Sequence, residues 1–237
     1  MPLSQPEMVL LDLDGTLVDT VPDLTYCLDT MLHKLSMPVA GEAKVREWVG
    51  NGIERLVKRA LTNDLANNNF DREPEPSLFE EALPIFIDCY WQNACKQSRL
   101  YDGVREGLDH LTNNDYKLGC VTNKLSQFTD IVLETLGLQD KFGIVISGDT
   151  LAKKKPDPLP LLHAAEYFGV SPHRSLMVGD SVNDVRAARA AGFQVLCVSY
   201  GYNLGQDIRL ANPDHVVDSL AELEAAFQAD VFRAITS

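Results

Sequence analysis

The sequence Val9-Leu10-Leu11-Asp12-Leu13-Asp14-Gly15-Thr16 begins as an unbroken apolar run and ends in two acids, a glycine and a threonine. Apolar residues at consecutive positions indicate a strand that is covered on both faces, as in a parallel sheet. Because positions i and i+2 of a strand share a face, we expect Asp12 and Asp14 to point the same way. Two carboxylates about 4 Å apart repel each other by about 1 kcal/mol in water and by more when partly desolvated, so the pair needs a metal, a proton or a lysine nearby. Taken alone, the motif is explained equally well by a capped turn at the end of a strand.

Four more apolar runs follow later in the chain, at residues 118–122, 144–147, 176–179 and 195–199. Segments with helical periodicity separate them, for example residues 127–136, 158–168 and 182–191. An alternation of strands and helices is typical of α/β proteins with a parallel sheet. The sequence therefore predicts a doubly wound α/β core with five strands, and a last helical segment at residues 220–227.

About 100 residues separate the first strand from the second, far more than a crossover between neighbouring strands needs. This gap carries two apolar helical faces, formed by Leu24, Leu28, Met31, Leu32 and Leu35 and by Ile53, Leu56, Val57, Ala60 and Leu61. A polar segment at 63–76 indicates a loop, and residues 77–95 a further helix that contains Pro84. We therefore expect a helical domain at residues 20–99, inserted into an α/β core made of residues 1–19 and 100–237. The two linkers, near 18–22 and 97–102, would lie side by side and form a hinge.

The composition favours a globular protein that binds neither nucleic acid nor membranes. The chain has 237 residues, 34 acidic against 21 basic side chains and a formal net charge of −13, which would repel a phosphate backbone or an anionic lipid surface. No basic segment precedes the first apolar run, and no stretch reaches the roughly 20 apolar residues that cross a bilayer. The five cysteines show no C-x-x-C spacing, which is typical of reduced core thiols, so we expect a cytoplasmic protein.

Two further polar segments follow predicted strands. Thr122 and Asn123 end the second apolar run just before a helix, where a hydroxyl and an amide can donate hydrogen bonds to phosphate oxygens. The same pair is, by itself, more typical of a helix cap. The segment Lys153-Lys154-Lys155-Pro156-Asp157-Pro158 offers ammonium groups in a loop that two prolines hold extended. By composition alone this segment indicates a solvated run of charge.

Asp180 closes the fourth apolar run, and Asp184 follows one helical turn later. In an open parallel sheet, ligands bind beyond the carboxyl ends of the strands. Asp12, Thr122 and Asp180 each stand at such an end, and the loop with Lys155 follows the strand at 144–147. The coincidence of four polar segments at one edge of the sheet favours a functional site over four unrelated turns.

In chain order, DLDGT at 12–16, VTNK at 121–124, KKKPDP at 153–158 and GDSVND at 179–184 resemble the four motifs of the haloacid dehalogenase-like hydrolase superfamily. The resemblance spans the core and implies a Rossmann-like parallel sheet with an inserted helical cap domain. Within the superfamily, DGTLVDT at 14–20 and WVGNG at 48–52 are similar to the bacterial phosphoglycolate phosphatases. The resemblance thus implies a small-molecule phosphate ester as substrate, with 2-phosphoglycolate converted to glycolate and phosphate.

The resemblance also implies a role for each motif residue. Asp12 would attack phosphorus and carry an aspartyl phosphate, while Asp14 would act as acid and then as base. Thr122, Asn123 and Lys155 would bind the phosphoryl oxygens, and Lys155 is preferred to its neighbours because it directly precedes Pro156.

A magnesium ion would complete this site. The resemblance implies that Mg²⁺ is held by a carboxylate oxygen of Asp12, the backbone carbonyl of Asp14 and a carboxylate oxygen of Asp180, an all-oxygen set that suits this metal. Asp184 would orient the ligands without binding the ion. The oligomeric state stays open.

In the insertion, the turn Gly50-Asn51-Gly52 is our choice for contact with the organic part of the substrate, with Arg55 as the cation nearest to a substrate carboxylate. A plain turn between helices, with a solvated arginine, explains these residues equally well. The presence of Asp14 argues against a dehalogenase, because an ester needs an acid for its leaving oxygen. The alternatives are a broad sugar-phosphate phosphatase, a β-phosphoglucomutase-like mutase and, outside the enzymes, a phosphorelay receiver.

Overall fold

Six strands form one parallel sheet in the computed structural model, which describes residues 5–62 and 72–227. The strands of the chain are β1 Met8–Leu11, β2 Val18–Asp19, β3 Arg99–Leu100, β4 Lys117–Val121, β5 Ile144–Ile146, β6 Ser175–Gly179, β7 Gln194–Val198 and β8 His215–Val217. The sheet has the order β5-β4-β1-β6-β7-β8, and all of its pairings are parallel. The α/β fold with a Rossmann-like parallel sheet is therefore confirmed, and each of the five predicted strands lies within two residues of its observed position.

Helices cover both faces of this sheet. Four of them follow the second linker: α5 Val104–Asn113, α6 Ser126–Thr135, α7 Leu159–Phe168 and α8 Val182–Ala191. Along β1, Val9 and Leu11 belong to the apolar cluster on one face, while Met8 and Leu10 belong to the cluster on the other, and all four side chains are fully buried. Burial on both faces is the reason why the strand sequences are apolar at every position.

The insertion between β2 and β3 is helical. Its helices, numbered from the start of the chain, are α1 Val21–Lys34, α2 Glu42–Trp48, α3 Ile53–Thr62 and α4 Pro76–Asn93. Both predicted apolar faces pack into one cluster, within which Leu35 alone of the ten is only partly buried. Pro84 lies inside α4 without ending it. Most of the predicted loop at 63–76 falls outside the described residues.

The two linkers lie side by side, as expected. β2 and β3 pair antiparallel, with Val18 opposite Leu100. The buried carboxylate of Asp23, in the first turn of α1, accepts hydrogen bonds from the backbone N–H of Gln97 at 2.9 Å and of Ser98 at 2.8 Å, and from the Ser98 hydroxyl at 2.5 Å. The insertion is thus tied to the second linker near its own first helix. The division into a core of 1–19 and 100–237 and a cap of 20–99 stays a prediction.

Within residues 5–62 and 72–227, no helix has both the length and the apolar character that crossing a bilayer requires.

Candidate active site

The central strands of the sheet bring the predicted site residues together. β1 pairs with β4 on one side and with β6 on the other, so the residues that follow these strands meet at one edge. The backbone continues the ladder by one step, because Asp12 N–H donates to the Val178 carbonyl at 2.9 Å and Thr122 N–H to the Ile146 carbonyl at 2.9 Å. Asp12, Thr122 and Asp180 therefore lie in fixed positions at the carboxyl edge of the sheet.

Three buried carboxylates form a cluster at this edge. One oxygen each of Asp12, Asp180 and Asp184 lie within 4.8 Å of one another. Burial raises the pKa of Asp12 to about 7, with Lys155 opposing that rise and Asp184 adding to it. Burial, followed by the charges of Asp12 and Asp184, also raises the pKa of Asp180 well above its usual value. The raised pKa values indicate that the nearby positive charge is too small for three carboxylates, and a hard divalent cation that prefers oxygen ligands would supply the rest.

Lys155 supplies the cluster with its one ammonium group among the described residues. Its Nζ atom lies 3.0 Å from Asp12 Oδ1 and 2.7 Å from Asp184 Oδ1, and it donates to the Val121 carbonyl at 2.6 Å. Burial lowers the pKa of Lys155, but the charges of Asp12 and Asp184 outweigh it and hold the pKa above its usual value. The side chain is therefore cationic at neutral pH.

The neighbouring lysines point elsewhere. Lys153 forms an exposed ion pair with Asp157 at 2.9 Å, and Lys154 donates to the backbone carbonyl of Asn51 at 3.1 Å. Of the three, Lys155 is the one that reaches the carboxylate cluster.

Asp184 and Asp180 are each held by two kinds of partner. Asp184 Oδ2 accepts from the backbone N–H and the hydroxyl of Ser181 at 3.0 and 2.7 Å, which caps α8, while its Oδ1 faces Lys155. Asp180 accepts from the Thr16 hydroxyl at 2.8 Å and from the Tyr202 N–H at 2.6 Å. Both oxygens of each carboxylate thus have partners within the protein, which fixes the orientation of the two side chains, while the orienting role of Asp184 and the ligand role of Asp180 stay predictions.

Asp14 pairs with a lysine that the sequence did not single out as a site residue. Lys124 Nζ lies 3.0 Å from both carboxylate oxygens of Asp14. The side chain is almost fully buried and its ammonium lies 5.2 Å from the centre of the Tyr90 ring, which belongs to α4 of the insertion. Burial lowers the pKa of Lys124, but Asp14 and Tyr90 together outweigh burial and hold this pKa above its usual value. Lys124 is the last residue of the motif VTNK, but its pairing with Asp14, 110 positions away in the sequence, is visible only in the structure.

The turn Gly50-Asn51-Gly52 is held against the core by hydrogen bonds. The Gly50 carbonyl accepts from Asn123 Nδ2 at 3.1 Å and from Asn183 Nδ2 at 3.2 Å. Asn123 Nδ2 also donates to the Lys155 carbonyl at 3.0 Å, and its Oδ1 has no hydrogen-bond partner in the part of the chain that the structure describes. The amide of Asn123 thus connects the turn, the lysine loop and the end of β4.

A small cavity of about 30 Å³ lies between the turn and the sheet edge. Its lining comes from Asp12, Asp14, Thr122, Asn123 and Lys124 of the core and from Leu24, Val49, Gly50, Gly52, Ile53 and Leu56 of the insertion. A cavity of this volume holds two or three water molecules, which is too little for a phosphate ester. The insertion must therefore move away from the core before a substrate enters.

Arg55 lies outside that lining. Its Nη1 atom is 3.0 Å from Glu73 Oε1, and its side chain faces a neighbouring groove together with Lys154 and Pro156. Asn51 lies on the same groove. To contact a substrate in the cavity, Arg55 would have to leave Glu73 and pass the turn.

Comparisons with known proteins agree with this geometry. A model of the family described as haloacid dehalogenase-like hydrolase matches residues 9–198. A phosphoglycolate phosphatase from Nitrosococcus oceani is 58% identical over 222 residues, covering 94% of this chain and 96% of that protein. One from Thiobacillus denitrificans is 47% identical over 214 residues, covering 90% of this chain and 92% of that protein.

A solved structure has the same architecture. The crystal structure of a "predicted phosphoglycolate phosphatase" from Haemophilus somnus superposes with a TM-score of 0.86 at 34% identity, covering 94% of this chain and 98% of the other. The family model matches most of the chain, and the two curated relatives align with nearly all of it. The chain therefore belongs to the haloacid dehalogenase-like hydrolases.

Proposed function

We propose that the chain is a magnesium-dependent phosphatase that converts 2-phosphoglycolate to glycolate and phosphate through a phosphoryl intermediate on Asp12. The observation that carries the proposal is the joint placement of Asp12 and Asp14 in the lining of one small cavity, next to hydrogen-bond donors for a phosphoryl group. The names of the two curated relatives support the choice of substrate. Because the chain belongs to a family of hydrolases, we no longer consider a phosphorelay receiver as an alternative.

In this reaction Asp12 is the nucleophile. A carboxylate oxygen of Asp12 forms a bond to phosphorus while the bond from phosphorus to the ester oxygen breaks, and Asp14 gives that oxygen its proton. Asp14 then takes a proton from a water molecule that attacks the same phosphorus atom, which releases phosphate and restores Asp12. The aspartate that acts as acid in the first half is thereby ready to act as base in the second.

The donors around the cavity stabilise the transferring group. Thr122, Asn123 and Lys155 follow β4 and β5 at the same sheet edge. They would bind the phosphoryl oxygens as the amide of Asn123 and the ammonium of Lys155 exchange contacts within the protein for the substrate. A Mg²⁺ ion held by Asp12, the Asp14 carbonyl and Asp180 would neutralise the remaining charge and polarise the phosphoryl group. The shortage of positive charge among the buried carboxylates supports this assignment.

Five free cysteines, four of them buried, support a cytoplasmic location, because unpaired thiols persist in reducing compartments.

The test is phosphate release from 2-phosphoglycolate, hexose phosphates, a nucleotide and an aromatic phosphate ester, with Mg²⁺ or with EDTA. We expect a preference for 2-phosphoglycolate that EDTA abolishes while the far-UV circular dichroism spectrum is unchanged. Activity spread evenly over the esters, or favouring sugar phosphates, would retain the mechanism and reject the substrate. Isomerised sugar phosphate without free phosphate would establish the mutase alternative.

A further inference from the structure

One cationic side chain in the lining of the cavity, Lys124, has no role in the proposed reaction. Lys124 is the one lysine or arginine among the cavity-lining residues that the structure describes. The wall opposite is apolar and comes from Leu24, Val49, Ile53 and Leu56 of the insertion. A substrate with a second negative charge therefore meets a single positive side chain in the lining of this cavity.

The position of Lys124 beside Asp14 decides what it can reach. Its Nζ atom lies 3.0 Å from both oxygens of the acid that protonates the leaving oxygen. In 2-phosphoglycolate, one methylene group separates that leaving oxygen from the carboxylate carbon. When the leaving oxygen is at Asp14, the substrate carboxylate is therefore close to Lys124.

The ammonium group is also able to hold a second acid. It has three N–H donors, and the single carboxylate of Asp14 does not saturate them. The side chain is almost fully buried under the Tyr90 ring, and charged hydrogen bonds gain strength where water is excluded. Arg55, in contrast, forms an ion pair with Glu73 and lines a neighbouring groove.

We propose that Lys124 is the specificity-determining residue that binds the carboxylate of the substrate. The inference rests on the proposed function and assigns to the core a recognition step for which the sequence suggested Arg55 of the insertion. The apolar side chains of the insertion would then contact the methylene group of the substrate and would contribute no charge to its recognition.

The experiment compares 2-phosphoglycolate with 2-hydroxyethyl phosphate, which carries a hydroxyl in place of the carboxylate. For the wild type, kcat/KM is expected to be higher with 2-phosphoglycolate. In Lys124→Met the ratio of the two kcat/KM values should fall by about 10- to 100-fold, the range for a hydrogen bond between ionised groups. Most of this fall should come from weaker binding of the ester that carries the carboxylate, seen as a higher KM. Lys124→Arg should restore part of the ratio.

Two further variants separate the rival explanations. Lys117→Met, at the exposed opposite end of β4, is the matched control and should leave the ratio unchanged. Arg55→Met should leave it unchanged as well, and a collapse of the ratio in this variant instead would overturn the assignment. An equal loss for both esters in Lys124→Met would also overturn it, because Lys124 would then act only through Asp14.

Binding provides a readout that does not depend on turnover. With Mg²⁺ present, calorimetry on the wild type should show tighter binding of 3-phosphonopropionate than of propylphosphonate, and Lys124→Gln should remove that difference. Equal affinity of the two phosphonates for the wild type would contradict the proposal. A wild type that releases phosphate from sugars but not from 2-phosphoglycolate would instead reject the proposed substrate, and the inference with it.

Discussion

At the scale of single residues, the site is organised by buried charges that compensate one another. Lys155 bridges Asp12 and Asp184, so its removal leaves two buried acids without their cation. We predict that Lys155→Met lowers kcat by at least about 100-fold, since it removes a donor to the transferring group. It should also lower the free energy of unfolding by about 3–5 kcal/mol, because an unpaired buried charge remains.

The control for this prediction is Lys153→Met, which removes an exposed ion pair in the same loop. Exposed pairs contribute only about 0–1 kcal/mol, so the melting temperature and kcat should change little. Equal effects of the two substitutions in thermal melts and in kinetics would contradict the role given to Lys155.

The raised pKa of Asp12 makes a prediction about stability and pH. Folding raises this pKa from 3.8 to about 7, so between these values the folded state binds more protons than the unfolded state. The contribution of Asp12 is therefore fully present at low pH and is lost as the pH rises through about 7. Melts of EDTA-treated protein should show wild type losing stability relative to Asp12→Asn as the pH rises from about 4 to about 7, with little further loss above that pH. Parallel pH profiles for the two proteins would refute this.

The sequence predicts which site residues lie together where each of them follows a strand of the central sheet. The carboxylates at 12, 180 and 184 meet as expected, because each follows a central strand of a parallel sheet. Lys124 was missed because its partner Asp14 lies on another strand end, and a single lysine carries no signal of burial. Arg55 was chosen by its nearness in sequence to the turn, whereas its position in space depends on the direction of α3 and on Glu73.

At the scale of elements, the connection between insertion and core depends on a few side chains. Asp23 accepts three hydrogen bonds from the second linker. We predict that Asp23→Ala lowers the free energy of unfolding by about 2–4 kcal/mol, because it leaves the buried N–H and hydroxyl of Ser98 and the partly buried N–H of Gln97 without their acceptor. Denaturant titration measures the change, and Asp88→Ala, away from the linkers on α4, serves as the control. Equal stability of the two variants would show that the hydrogen bonds of Asp23 to the second linker do not stabilise the fold.

The turn at Gly50 makes a separate prediction. Asn183→Ala removes one of the two amide donors to the Gly50 carbonyl, which should favour the open position of the insertion. We expect KM for 2-phosphoglycolate to rise about fivefold, the equivalent of one ordinary hydrogen bond, with kcat nearly unchanged. Asn114→Ala removes a similar amide-to-carbonyl bond at the protein surface and should leave KM as it is. An unchanged KM in Asn183→Ala would show that the turn is held by other contacts.

Strands and helices with a clear pattern of apolar residues were predictable from the sequence, whereas the shortest strands and helices were not. The five apolar strands and the helices with a full apolar face lie close to where the sequence placed them. β8 has only three residues and begins with an exposed histidine, so it gives no apolar run. α2 has seven residues, two of them buried, which is too short for a helical period to stand out.

At the scale of the whole molecule, the insertion and the core meet at one cavity, to which the insertion contributes mainly apolar side chains and the core polar ones. The cluster of the insertion includes Phe128 and Tyr202 of the core, so the closed arrangement is stabilised by apolar contact as well as by the turn. The sequence indicated the insertion and the hinge through a gap that was too long for a crossover. It could not indicate how small the cavity is, because that depends on how the helices of the insertion pack against residues far away in the chain.

The central claim is that the phosphoryl group passes through Asp12. The most direct measurement is an acid quench during turnover of 2-phosphoglycolate with Mg²⁺, followed by mass spectrometry of the peptide that contains Asp12. We predict a phosphoryl group on Asp12 in the wild type, and neither label nor turnover in Asp12→Ala. A label on another residue, or turnover that persists in Asp12→Ala, would contradict the claim.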